Sequence, residues 1–174
     1  MKVLLIDDHP LILAALQAVI QGLGDDVTVV GVDNEHAARK TLAADADFDL
    51  VLLDLQLGAS DGFVLLAEFR DRYPALPVVV VSASDRTSDV IRAIDTGAMG
   101  FVPKRASNDT LFQALRLVLS GGIYVPPMSM GGSEAPPRRR GSDHADGDTA
   151  PGVMHVAKPG AGAEHPPHRS PESL

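Results

Sequence analysis

Leu50-Val51-Leu52-Leu53-Asp54 is a run of four apolar residues closed by a carboxylate. A strand with one wet face alternates apolar and polar residues. A run without alternation is buried on both sides, as in a parallel sheet covered by helices on both faces. Blocks of the same kind recur at residues 3–6, 27–32, 78–81 and 100–102. The stretches between them have helical spacing. After Pro10, suited to a first helical position, Ile12, Leu16, Val19, Ile20 and Leu23 share one face. Leu66, Phe69 and Tyr73 do so ahead of Pro74, and Leu111, Phe112, Leu115, Val118 and Leu119 form a stripe closed by Gly121-Gly122. Weaker helices are expected over 34–45, with Ala38 and Leu42 inward, and over 86–97, with Val90, Ile91 and Ile94 inward. Strand then helix, five times over, predicts an α/β fold: an open, doubly wound parallel sheet between helical layers, joined by right-handed crossovers.

Composition narrows the rest. The chain has 174 residues, 15 basic against 23 acidic for a formal charge of −8, and no cysteine. Disulfides, thiol nucleophiles and zinc–thiolate sites are excluded, and a surface devoted to nucleic acid is disfavoured. Asp7 and Asp8 interrupt the first apolar run well short of a signal peptide, and no apolar stretch approaches the ~20 residues of a membrane span. The expected location is the cytoplasm, without membrane attachment. From residue 128 onward there is no isoleucine or aromatic residue, and the only leucine is Leu174, while glycine, proline and histidine are frequent. Such a segment cannot bury enough apolar surface to offset the entropy of ordering it. The expected organisation is a folded domain over 1–125 and a disordered Gly/Pro-rich tail over 126–174.

In open α/β sheets ligands gather beyond the carboxyl ends of the strands. Asp7-Asp8, Asp54 and Ser82 stand at such ends, and Lys104 follows the last strand. Taken singly, each has an ordinary explanation: a helix cap, a loop hydroxyl, a solvated charge. Together they would put three carboxylates, a hydroxyl and an ammonium on one rim. Mutually repelling carboxylates need a cation or raised pKa values, and Mg²⁺ suits an oxygen-rich site that must also admit a phosphate. The constellation predicts phosphoryl transfer, with a nucleophile, a charge neutraliser and a clamp.

On these residues the sequence resembles the receiver domain of bacterial two-component response regulators. The resemblance is carried by Asp7-Asp8-His9-Pro10, Asp54-Leu55, Asp61-Gly62, Ser82-Ala83 and the run from Gly97 through Phe101 to Lys104, and it covers roughly residues 1–125. It implies a flavodoxin-like five-stranded sheet of order 2-1-3-4-5 with five helices. It also implies roles. Asp54 matches the phosphoacceptor; Asp7 and Asp8 match the acidic pair that, together with Asp54, holds Mg²⁺, with the backbone carbonyl of Gln56 completing the ligands. Ser82 and Lys104 match the hydroxyl and ammonium that meet the acyl phosphate, and Phe101 matches the aromatic switch position. The implied donor is a sensor histidine kinase or phosphotransfer protein, and a second copy of the chain (a homodimer) is a further candidate partner. The domain is not expected to be an enzyme beyond its own phosphorylation and dephosphorylation.

Three departures from the family pattern stand out. Leu57-Gly58 replaces a frequent Met-Pro, which is expected to loosen the loop; Pro103 precedes and Arg105 follows the lysine, where a proline often follows; and Phe101 lacks a hydroxyl. Asp8-His9-Pro10-Leu11 and the stretch 117–127 look like the NarL/FixJ type, in which a helix-turn-helix output follows. No such domain is expected in this chain: residues 138–140 form the only basic cluster, and the tail histidines lack ordered spacing. The alternative is a DNA-binding transcriptional regulator whose output is truncated or frameshifted, because a GC-rich gene read out of frame yields such a tail. A phosphohydrolase would want an aspartate where Gln56 stands, and a nucleotide-binding module would want a glycine-rich first turn.

Overall fold

The computed structural model describes residues 1–128. Five parallel strands form one sheet: β1 (Lys2–Ile6), β2 (Thr28–Val32), β3 (Leu50–Leu53), β6 (Val78–Ser82) and β7 (Gly100–Pro103), in the order β2-β1-β3-β6-β7. Two short strands, β4 (Gln56–Leu57) and β5 (Ser60–Asp61), pair antiparallel as a separate hairpin. With the hairpin set aside, the sheet order is the expected 2-1-3-4-5. The helices are α1 (Pro10–Gln21), α2 (Glu35–Ala44), α3 (Gly62–Arg72), α4 (Thr87–Thr96) and α5 (Asn108–Leu119). No described helix is long and apolar enough to cross a membrane.

The unbroken apolar runs are explained by two cores. Successive side chains of a strand point to opposite faces. Leu4, Ile6, Val51, Leu53, Val78 and Val80 therefore face α2, α3 and α4, where Leu42, Leu65, Leu66 and Phe69 meet them. Val3, Leu5, Leu50, Leu52, Val79 and Val81 face Ile20, Leu111, Leu115 and Val118 of α1 and α5. Every residue of β3 is fully buried, and each such side chain contributes about 1.5–3 kcal/mol of transfer free energy.

Local chemistry sets the helix ends. Asn34, Asp61 and Ser107 cap α2, α3 and α5 by accepting the backbone N–H of Ala37, Phe63 and Thr110. Gly97 ends α4 in a left-handed conformation at φ 110°. Several details differ from the sequence reading; Ile91 of α4 and Leu119 of α5, expected on the inner faces, are 51% and 41% exposed. In α1, Leu13 joins Leu16, Val19 and Ile20 against the core, whereas Ile12 lines a shallow groove beside Leu111 and Lys104. The chain after α5 returns to the sheet edge: Phe101 N–H donates to Tyr124 O at 3.0 Å and Tyr124 N–H to Met99 O at 3.0 Å, so the outer edge of β7 is covered. Most of the segment expected as a tail, including residues 138–140 and the tail histidines, lies outside the described residues.

Candidate functional site

Strand register brings the chemistry together. β1 and β3 are neighbours with Ile6 opposite Leu53, and Asp54 N–H donates to Ile6 O at 2.9 Å. Asp7 and Asp54 thus emerge side by side, where the chain winds outward in opposite directions and leaves a crevice. On the other flank Ser82 pairs with Pro103, and Lys104 N–H donates to Ser82 O at 2.8 Å, which turns the lysine inward over the same rim.

Each carboxylate is braced by backbone N–H groups. Asp7 Oδ1 accepts the His9 amide at 2.9 Å, Asp54 Oδ1 accepts the Gln56 amide at 3.1 Å, and Asp8 Oδ2 accepts the Gly58 amide at 2.8 Å. The other oxygens face the pocket. Lys104 Nζ lies 2.7 Å from Asp7 Oδ2 and 2.9 Å from Asp54 Oδ2, and His9 Nδ1 lies 2.9 Å from Asp8 Oδ1. Asp7 and Asp54 are 1% and 2% exposed, so these charges act in a poorly screened setting. Burial pushes the Asp54 carboxyl above the usual carboxylate range, against the lowering pull of Lys104 and the Gln56 amide. Burial by itself would lower the Lys104 ammonium, but Asp7 and Asp54 outweigh it and hold the lysine above its ordinary value.

This pocket fits a hard divalent cation. Three carboxylates face one ammonium, and Asp7 Oδ2 and Asp8 Oδ1 are buried in close contacts that lack hydrogen-bond alignment. Ligand atoms from Asp7, Asp8, His9 and Asp54 all lie within 4.8 Å of one another. Oxygen donors of this kind and charge suit Mg²⁺.

The structure brings Asp7, Asp8, Asp54 and Lys104 together, as expected from their strand-end positions. Ser82 is 1% exposed at the same rim, but its hydroxyl accepts the Ser84 amide at 3.1 Å, and no hydrogen bond joins it to these carboxylates among the described residues. Phe101 is fully buried on the α4 side of the sheet. Sequence reasoning missed three participants. In sequence His9 is only part of a motif, yet its ring enters the pocket. Gly58 turns the hairpin at φ 60° and gives Asp8 an N–H that a proline there would lack, a contact the sequence does not show. Arg105, after the lysine, reaches Asp85 across the rim at 2.6 Å.

The sequence profile of the response regulator receiver domain matches residues 3–116. The chain belongs to the response regulator receiver family. It is 35% identical over 145 residues to a glycerol metabolism activator of Pseudomonas putida, covering 83% of this chain and 65% of that protein. It is 34% identical over 123 residues to the nitrate/nitrite response regulator protein NarL of Escherichia coli K12, covering 71% of this chain and 56% of that protein. The chain therefore spans a little over half to about two thirds of the length of these relatives. Among solved structures, a LuxR family DNA-binding response regulator from Silicibacter pomeroyi superposes with a TM-score of 0.64 at 31% identity, covering 72% of this chain and 97% of the other. This receiver is thus similar to the NarL/LuxR type of response regulators, as its first-turn motif suggested.

Proposed function

We propose that the receiver domain, residues 1–125, accepts one phosphoryl group on Asp54 from a histidine kinase or phosphotransfer protein, and that this charge switches the α4–β7 side of the molecule. The observation that carries the reading is the convergence of Asp7, Asp8 and Asp54 with Lys104 between two of them. A carboxylate oxygen of Asp54 forms the new P–O bond as the bond from phosphorus to the donor imidazole nitrogen breaks, and the electron pair stays on that nitrogen. Lys104 holds Asp54 as the ionised nucleophile and then meets the transferred oxygens. Asp7, Asp8 and the Gln56 carbonyl would hold Mg²⁺, which supplies charge neutralisation for the incoming phosphoryl oxygens. Hydrolysis of the acyl phosphate returns the domain to its starting state.

The relay to α4 follows from the hydrogen bonds around Ser82. A Ser82 hydroxyl that turns to a phosphate on Asp54 gives up the Ser84 amide. Ser84 in turn donates to Asp89 in the first turn of α4 at 2.5 Å. α4 is lightly anchored and can move cheaply: only Val90 and Ala93 are fully buried, and Ile91 is half exposed. Phe101, behind Ser82 on the neighbouring strand, responds sterically. The names of the relatives, an activator and a nitrate/nitrite response regulator, support a regulatory signalling role, for which we read the cytoplasm as the setting.

Intact-mass measurement after incubation with a small phosphodonor, with and without Mg²⁺, tests the assignment. One phosphoryl addition is expected, dependent on Mg²⁺ and absent in Asp54→Asn. Addition that persists in that variant rejects Asp54 as the acceptor.

A further inference from the structure

Among the pocket residues, His9 has no part in the scheme above. It stands at the N-cap position of α1, yet its side chain makes no capping hydrogen bond, and it is 55% exposed, so packing does not hold it. Nδ1 nevertheless lies 2.9 Å from Asp8 Oδ1, 3.0 Å from Asp7 Oδ1 and 3.7 Å from Asp54 Oδ2. A ring nitrogen carries at most one proton, which points well at one oxygen or is shared less favourably between two. Two oxygens at hydrogen-bond distance and a third close by exceed what that proton can serve. A cation explains the arrangement. Ligand atoms about 2.1 Å from a shared ion are about 3.0 Å apart at right angles and about 3.4 Å apart in a tetrahedron. Lys104 leaves two of these three oxygens free: it touches Asp7 Oδ2 rather than Oδ1, and shares only Asp54 Oδ2 with the ring.

We propose that His9 Nδ1 is a further protein ligand of the pocket cation and biases the site toward first-row transition ions, Mn²⁺ and later, over Mg²⁺. The inference rests on the reading of the acidic pocket as a cation site. Its physical basis is ligand type: carboxylates and water satisfy Mg²⁺, whereas an imidazole nitrogen adds affinity that grows from Mn²⁺ toward Ni²⁺. The ring is half exposed, so ligation needs no rearrangement of the core.

The test uses the full chain with Mn²⁺, Ni²⁺ or Mg²⁺ alone, without phosphodonor. Pulsed electron paramagnetic resonance of Mn²⁺ bound at substoichiometric levels is expected to show coupling to an imidazole nitrogen that His9→Ala removes. Calorimetric titration is expected to show His9→Ala weakening Mn²⁺ binding about tenfold and Ni²⁺ binding more, with Mg²⁺ changed less than about threefold. Asp7→Asn separates the pocket from histidines elsewhere in the chain: nitrogen coupling that survives it belongs to another site and overturns the proposal. Absence of coupling in the wild type overturns it too. Tighter binding of all three ions by His9→Ala also does so, and would make the ring a competing internal cation. Mn²⁺ binding that neither Asp7→Asn nor Asp54→Asn alters would refute the pocket reading itself, a separate failure.

Discussion

Replacing Gly62 with alanine adds one methyl group where the structure has no room for it. Gly62 opens α3 directly after the hairpin that follows Asp54, and its N–H donates to Leu55 O at 3.0 Å. An added Cβ would sit 2.5 Å from Leu55 Cα, 2.7 Å from Leu55 O and 2.8 Å from Asp54 O. All three atoms are backbone, so no rotamer change relieves the contact. Reaching an ordinary separation of 3.4 Å from Leu55 Cα requires a retreat of about 0.9 Å. If α3 yields, Leu65, Leu66 and Phe69 lift off the sheet, and a gap of 0.5–1 Å forfeits a quarter to a half of each contact. Overpacking of this kind costs about 1–3 kcal/mol, and the upper figure applies because backbone opposes backbone. Alanine recovers about 0.4–1 kcal/mol by restricting the unfolded chain. The net expectation is a loss of about 2 kcal/mol. At about 4 °C per kcal/mol for a unit of this size, Tm falls by about 8 °C in calorimetry. Gly121→Ala is the comparator: it carries φ 92° with no neighbour within 4 Å of the added Cβ, so it bears only left-handed strain, about 1–2 kcal/mol. Gly62→Ala within about 2 °C of the wild type would show that the close approach at α3 is not as described, and would refute the reasoning. The same variant reports on function. If the loop rather than the helix yields, Mg²⁺ binding and phosphorylation weaken with stability, because Asp54 and Gln56 lie on that loop.

Other expectations follow from the charges. In chelator, Asp54→Asn is expected to be more stable than the wild type at neutral pH. A carboxyl whose pKa is raised on folding binds its proton more tightly when folded, so the wild type gains as pH falls through that raised value and the variant's advantage shrinks; an advantage independent of pH in denaturant titrations refutes this. Saturating Mg²⁺ is expected to raise wild-type stability by about 2.7 kcal/mol at a hundredfold excess over its Kd, and by much less in Asp8→Asn; equal gains in both proteins would remove Asp8 from the ligand set. Arg92, whose guanidinium lies 3.8 Å over Phe63 and 3.6 Å from Asp61, joins α4 to α3 at the exposed surface. Arg92→Ala is therefore expected to cost no more than about 1 kcal/mol in urea unfolding, and a loss of several kcal/mol would show this contact to be structural.

The apolar blocks and their lack of alternation were enough to place five strands and five helices, because burial is written in local composition; β2, at the sheet edge, departs from the expected two-sided burial and buries only Val29. Asp7, Asp8, Asp54, Ser82 and Lys104 could be named for the same reason: they interrupt those blocks at the carboxyl ends. Local patterns could not show what each carboxylate rests on. Gly58 reaches Asp8 across fifty positions of chain, and only the hairpin's left-handed turn aims its N–H there. Tyr124 covers the edge of β7 through backbone groups, which carry no side-chain signature. His9 reads in sequence as part of a helix-start motif; its place among three carboxylates depends on the pairing of β1 with β3, a contact between residues far apart in the chain. Side-chain periodicity encodes which face a residue takes. Register, turn handedness and the resulting distances of a few ångströms come from long-range pairing, and in this protein they decide how the pocket holds its charge.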